Sequence, residues 1–219
     1  MINAAVSVRH VRMEFKGERV LDDVSHDFEE GKTHGIIGNS GSGKTVLFKC
    51  ICGFLPPTSG KVLVDFEQVG REIEYPEDMG LMIGTPGFLP RLSGFKNLQI
   101  LASLRKKIGD KDIVKAIRRV GLDPAAKKHV GKYPPGMRQR LGIAQAVMED
   151  PSLLVLDEPF NGLEKQEARD MRELLRELRA AGKTILLASR NAADITELCD
   201  TVCEMNAGKL TVVRQEALQ

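Results

Sequence analysis

One octapeptide constrains the chain more than any other feature: Gly38-Asn39-Ser40-Gly41-Ser42-Gly43-Lys44-Thr45, which fits G-x-x-x-x-G-K-[ST]. Glycines let a loop curl until successive backbone N–H groups point inward, which is how a chain cradles phosphate. The loop works only between a buried strand and a helix whose N-terminal dipole end adds positive charge. Both neighbours are predicted here. Residues 33–37 read as a buried strand, and residues 45–54 as a helix stopped by Pro56 and Pro57. A chance match in a chain of this length has odds on the order of one per cent. In this motif Lys44 reaches the β- and γ-phosphates as a mobile point charge, and Thr45 offers its hydroxyl to Mg²⁺.

A second segment complements the first. Residues 152–156 form a continuous apolar run, the mark of a strand buried on both faces, and Asp157-Glu158-Pro159 follows it. Ligands of open α/β sheets bind at the C-terminal ends of the strands. Two carboxylates delivered there suit two tasks: Asp157 holds Mg²⁺ through water, and Glu158 polarises an attacking water as general base.

Composition removes several alternatives. A net charge of +2 is too small for a nucleic-acid surface, which shows as a basic stripe or cluster. The densest basic runs, 105–107 and 118–119, fall within helical patterns and read as solvated faces. No stretch reaches the roughly 20 apolar residues of a membrane span, and the first ten residues lack the layout of a secretion signal. The expected location is therefore cytoplasmic, with any membrane role exercised by docking. The four cysteines, Cys50, Cys52, Cys199 and Cys203, lack the C-x2-C spacing of zinc sites and read as buried thiols in a reduced compartment.

Along the chain, strands are predicted at 6–15, 20–28, 33–37, 61–66, 80–83, 152–156, 184–188, 201–205 and 210–213. Helices are predicted at 45–54, from a Ser93 cap to 107, from an Asp110 cap to 120, and at 137–148, 164–181 and 192–198. Strands alternating with helices imply a mainly parallel sheet. The strand-free stretch 86–149 reads as a helical subdomain inserted into an α/β core made of 1–85 and 150–219.

The phosphate loop, the helical insert, the helix start Gly136-Met137-Arg138-Gln139-Arg140-Leu141 and the strand ending in Asp157-Glu158-Pro159 occur in an order that resembles the ATP-binding subunit of ABC transporters. The likeness spans essentially all of residues 1–219. It implies a single ATPase domain with a mainly parallel sheet, an N-terminal antiparallel β part and a helical subdomain. Its ligands are ATP and Mg²⁺. It implies Phe15 stacked on adenine, with Val20, Thr33 and residues 38–45 around the nucleotide and Asp157 on the metal. Tyr133-Pro134-Pro135-Gly136-Met137 takes the place of the family's signature segment, where Gly136 and Met137 face the ATP of a second subunit. Two subunits, alike or different, then clamp two nucleotides head to tail. Residues 161–164 resemble the loop that crosses that interface, with Glu164 where the family usually has Asp. Residues 87–93 resemble the segment that meets a separate membrane-spanning permease, with Phe88 and Leu89 as docking side chains or as buried anchors.

Three positions depart from the family. Gly84 stands where a Gln or Glu is usual, Pro134 where the signature has Ser, and Arg190 where a switch His is expected. Proline removes a hydroxyl and an N–H donor. Arginine donates only and stays charged, yet it can contact phosphate as arginine fingers do. The resemblance therefore implies an atypical but active ATPase: an exporter motor, peripheral on the inner face of the membrane, with Glu158, Lys44 and Arg190 as its catalytic side chains. The alternative is a regulatory ATP-binding module impaired in hydrolysis. A soluble ATPase of DNA repair or translation fits least, because neither a long coiled-coil insert nor a second ATPase unit is present.

Overall fold

A computed structural model describes residues 3–215. Two sheets organise them. In the first, β1 (Ala4–Phe15) and β2 (Glu18–Glu29) pair antiparallel across a two-residue turn, Lys16 and Gly17, at φ 49° and 85°. That left-handed pair matches the natural twist of a hairpin. β4 (Ser59–Val64) pairs with the other edge of β1, and the short β5 (Glu67–Gln68) returns from it through Asp65 and Phe66, at φ 48° and 69°. This turn is why the strand expected to reach 66 stops at Val64 and why β5 escaped sequence reading. Within β1 one extra residue separates Val8 from Val11 relative to β2, and His10 sits there at φ 50°. The bulge lets Val6, Val8, Val11 and Met13 all face inward despite broken alternation.

The second sheet has the order β10-β9-β3-β8-β7-β6. It comprises β3 (Thr33–Ile37), β6 (Met79–Met82), β7 (Leu153–Asp157), β8 (Thr184–Ser189), β9 (Thr201–Asn206) and β10 (Lys209–Gln215). All pairings are parallel except the terminal β9–β10 hairpin. Every residue of β7 and β8 is buried, as continuous apolar runs require of strands covered on both faces.

Helix α1 (Lys44–Ile51) lies between the sheets. Its Leu47, Phe48 and Ile51 share a core with Val6 and Val62 of the first sheet and Val155 and Leu186 of the second. α2 (Gly94–Arg105), α3 (Asp110–Arg119) and α4 (Pro135–Val147) follow β6; α5 (Lys165–Ala180) joins β7 to β8, and α6 (Ala192–Leu198) joins β8 to β9. They gather around a second core that includes Leu98, Ile117, Leu141, Leu174 and Leu187.

Helix ends follow local chemistry. Ser93 caps α2 as expected, accepting from the Lys96 N–H. α3 is capped one residue earlier than expected, at Gly109, whose N–H donates to Asp112. α4 begins at Pro135 rather than 137, because a proline in the first turn has its φ pre-set and needs no N–H there. α1 ends at Ile51, and Gly53 turns the chain at φ 80°, leaving Phe54 exposed. The four thiols are free and buried; burial pushes those of Cys50, Cys52 and Cys199 up to about 12 and that of Cys203 up to about 11. Among the described residues, no helix is long and apolar enough to cross a membrane.

Candidate functional site

The loop after β3 is shaped by close approaches. Gly38 has φ 155°, and a Cβ there would fall 2.3 Å from the Met205 carbonyl oxygen. Gly43 caps α1 at φ 114°, with the Val20 carbonyl oxygen 3.0 Å from where a Cβ would sit. Lys44 Nζ turns back to donate to the carbonyls of Gly38 at 2.7 Å and Asn39 at 3.0 Å, closing the loop on itself. Burial pushes the Lys44 ammonium below the usual lysine range; Glu158 and Asp157 oppose this, and Arg190 adds to it.

Thr45 Oγ1 donates to Asp157 Oδ2 at 2.6 Å, tying α1 to the end of β7. Among the described residues, the buried side-chain polar atoms without a hydrogen-bond partner are Asp157 Oδ1, Ser42 Oγ and the Nε atoms of Arg138, Arg140, Arg172 and Arg214. Buried polar atoms without partners are rare in folded proteins, and the first two, beside one glycine-rich loop, fit a ligand that supplies the missing bonds. A free carboxylate oxygen beside a threonine hydroxyl is also the oxygen donor set that Mg²⁺ prefers.

Glu158 follows at φ 52°, its N–H donating to the Ala188 carbonyl at 2.8 Å. Its carbonyl accepts from Gln139 Nε2 at 2.8 Å and from the Asn161 N–H at 3.2 Å. Its carboxylate meets Arg190 Nε at 3.2 Å. A pocket of about 340 Å³ opens between these groups, lined by Val20, by residues 40–46, and by Asp157, Glu158 and Arg190.

The structure thus brings together Val20, Ser40, Gly41, Ser42, Gly43, Lys44, Thr45, Asp157, Glu158 and Arg190. Gly38 and Asn39 stand behind that wall, holding Lys44. Phe15, at the end of β1, is 42% exposed and lies outside the lining. Thr33 needs correction. It opens β3 at the end opposite the loop, about 13 Å of strand away. Its N–H is bound to Asp200 at 2.8 Å, so it serves the sheet and not the nucleotide.

Gly136 and Met137 also lie outside the pocket, on the first turn of α4. A Cβ on buried Gly136 would fall 2.7 Å from Glu167 Oε2 and 3.0 Å from the Gly162 carbonyl oxygen, so this turn packs against the 161–164 loop of its own chain. Glu164 caps α5, its N–H donating to Glu167 at 3.1 Å. Phe88 packs on the helical core, whereas Leu89 is 52% exposed, its backbone fixed at both ends by Asn97. Gly84 is exposed at φ 66°, with nothing within 4 Å of a built Cβ. Pro134 caps α4 from an exposed position. Gln139 was given no role by sequence reading; its place three residues after Gly136, on the same helix face, was the available signal.

The family model described as "ABC transporter" matches residues 21–161. An uncharacterised ABC transporter ATP-binding protein of Bacillus subtilis (strain 168), YybJ, is 38% identical over 205 residues, covering 94% of each chain. The bacitracin transport ATP-binding protein BcrA of Enterococcus faecalis is 34% identical over 207 residues, covering 94% of this chain and 67% of its own length. Among solved structures, the dimeric ATP-binding cassette MJ0796 in a post-hydrolysis state bound to ADP and Pi superposes with a TM-score of 0.88 at 19% identity, covering 97% of this chain and all of the other. That last likeness is one of fold.

Proposed function

The chain belongs to the ABC transporter family as an ATP-binding subunit, and on that premise we propose that it is the ATP-hydrolysing motor of a bacterial exporter. The observation that carries this reading is the convergence of Lys44, Thr45, Asp157 and Glu158 on one pocket behind a glycine-rich loop. Export is favoured because relatives are named for bacitracin transport and, at 27% identity, for lantibiotic transport in Streptococcus pyogenes.

In this reading the N–H groups of residues 40–45 and the start of α1 bind the triphosphate. Lys44 trades its two carbonyl partners for phosphate oxygens. Thr45 and Asp157 would hold Mg²⁺, which supplies positive charge to the phosphate tail. Glu158 accepts the proton of the attacking water. Arg190 leaves Glu158 for the phosphate, where its fixed charge stabilises the negative charge that builds up during transfer. Phe15, exposed beside the pocket mouth strand β2, stacks on adenine. Gly136 and Met137 of a second copy, the same chain or a related one, cover the nucleotide. Residues 86–149 act as a helical arm on a core of 1–85 and 150–219, and the 87–93 loop meets a separate membrane-spanning chain at the inner face of the membrane.

Three features together favour a second reading. With Arg190 paired to Glu158, Gly84 bare and Pro134 lacking an N–H, the chain could hold ATP and hydrolyse it slowly, as a regulatory module. Steady ATP turnover of the purified protein and of Glu158→Gln separates the two. The motor reading expects turnover in the first and a fall of 10²-fold or more in the second, the usual scale for a catalytic base. Equal background rates in both would leave only the module.

A further inference from the structure

Glu158 sits at φ 52°, a left-handed conformation that a residue with a Cβ keeps only where its surroundings hold it. Three bonds hold its backbone. Two are main-chain bonds, to the Ala188 carbonyl and from the Asn161 N–H. The third comes from a side chain on another element, Gln139 Nε2 on α4, at 2.8 Å from the Glu158 carbonyl oxygen. Gln139 lies one turn after Gly136, on the helix face that packs against the 161–164 loop.

We infer that Gln139 is a positioning residue for Glu158 of its own chain. By fixing the Glu158 carbonyl it fixes the peptide that leaves β7, and so the direction in which the carboxylate leaves the backbone. A small rotation of that peptide swings the carboxylate by about 1 Å, and displacements of this size can cost about 10²-fold in rate. The inference rests on the ATPase and head-to-tail dimer proposed above. There the first turn of α4 faces the partner's nucleotide while Glu158 serves the chain's own. Gln139 therefore ties one chain's contribution to each of the two sites.

Gln139→Met keeps the length and removes the donor. As a homodimer it should lose tenfold or more in kcat, with KM and nucleotide affinity within about twofold. Gln139→Glu, of the same shape and also without a donor, repeats the test should the first variant fold poorly. Two differently tagged mixed dimers give the decisive comparison. In one, Gln139→Met and Glu158→Gln lie on the same chain opposite a wild-type chain; about half the wild-type turnover should survive, because the intact Glu158 keeps its own Gln139. In the other, the substitutions lie on opposite chains, and turnover should fall tenfold or more below the first. If the second dimer equals or exceeds the first, Gln139 acts across the interface or only as packing, and the inference is overturned while the ATPase reading stands. An idle wild-type dimer overturns that reading and the inference together.

Discussion

At Arg190 the chain places a permanently charged guanidinium 3.2 Å from the carboxylate of Glu158. A side chain that is 56% exposed forms a weak ion pair, worth about 1 kcal/mol or less, so several phosphate charges can draw Arg190 away. Arg190→Ala should therefore lower kcat by about 10²-fold and leave ATP affinity within tenfold, as measured by steady turnover and nucleotide titration. A rise in kcat would show instead that the arginine masks the base. Residues of the phosphate loop and the Asp157-Glu158 pair were legible in the sequence because their spacing along the chain is their chemistry. The Arg190–Glu158 and Gln139–Glu158 contacts join residues 32 and 19 positions apart, and no local pattern encodes them. Thr33 was misplaced because being on the right strand says nothing about which end of it a residue occupies.

Strand β3 carries the loop, and His34 anchors its start. The ring is buried, with Nε2 2.8 Å from the Glu29 carbonyl oxygen and Nδ1 2.6 Å from Thr201 Oγ1. A neutral ring satisfies both: Nε2–H donates to the carbonyl, and Nδ1 accepts from the hydroxyl. Burial, more than any neighbour, lowers the His34 pKa to about 4, although the bond to Glu29 opposes this. The unfolded chain takes up this proton near pH 6.5, while the folded chain takes it up only near 4. The stability owed to a neutral His34 is thus complete above pH 6.5 and is lost as pH falls toward 4, at about 1.4 kcal/mol per pH unit. Urea midpoints across that range should fall more steeply for the wild type than for His34→Gln; parallel profiles would contradict the burial argument. Element types were readable from period and composition, whereas ends were not. Pro135 breaks a pattern when read along the sequence but starts a helix in the fold, and the bulge at His10 becomes visible only once β1 has a partner.

For the molecule as a whole, α1 is the joint. The first sheet, with β1, β2 and β4, and the parallel sheet both pack against it in one shared core, so the helix that opens on the phosphate-loop motif is also the one that both sheets grip. The order of motifs revealed this architecture in the sequence because an ATP-binding cassette must interleave them in that way. The transported substrate stayed illegible, as did whether a second subunit is a copy of this chain, since no motif of this chain encodes either. On the proposed reading, a single pocket built by Lys44, Thr45 and Asp157 holds Mg-ATP. The decisive experiment is calorimetric titration of ATP into the purified chain and into Lys44→Ala, with and without Mg²⁺. One nucleotide per chain should bind, more tightly with the metal, and Lys44→Ala should lose about 10²-fold or more in affinity from the removed charge-assisted bonds. Wild-type protein that takes up no ATP, or a variant that binds it equally well, would contradict that reading.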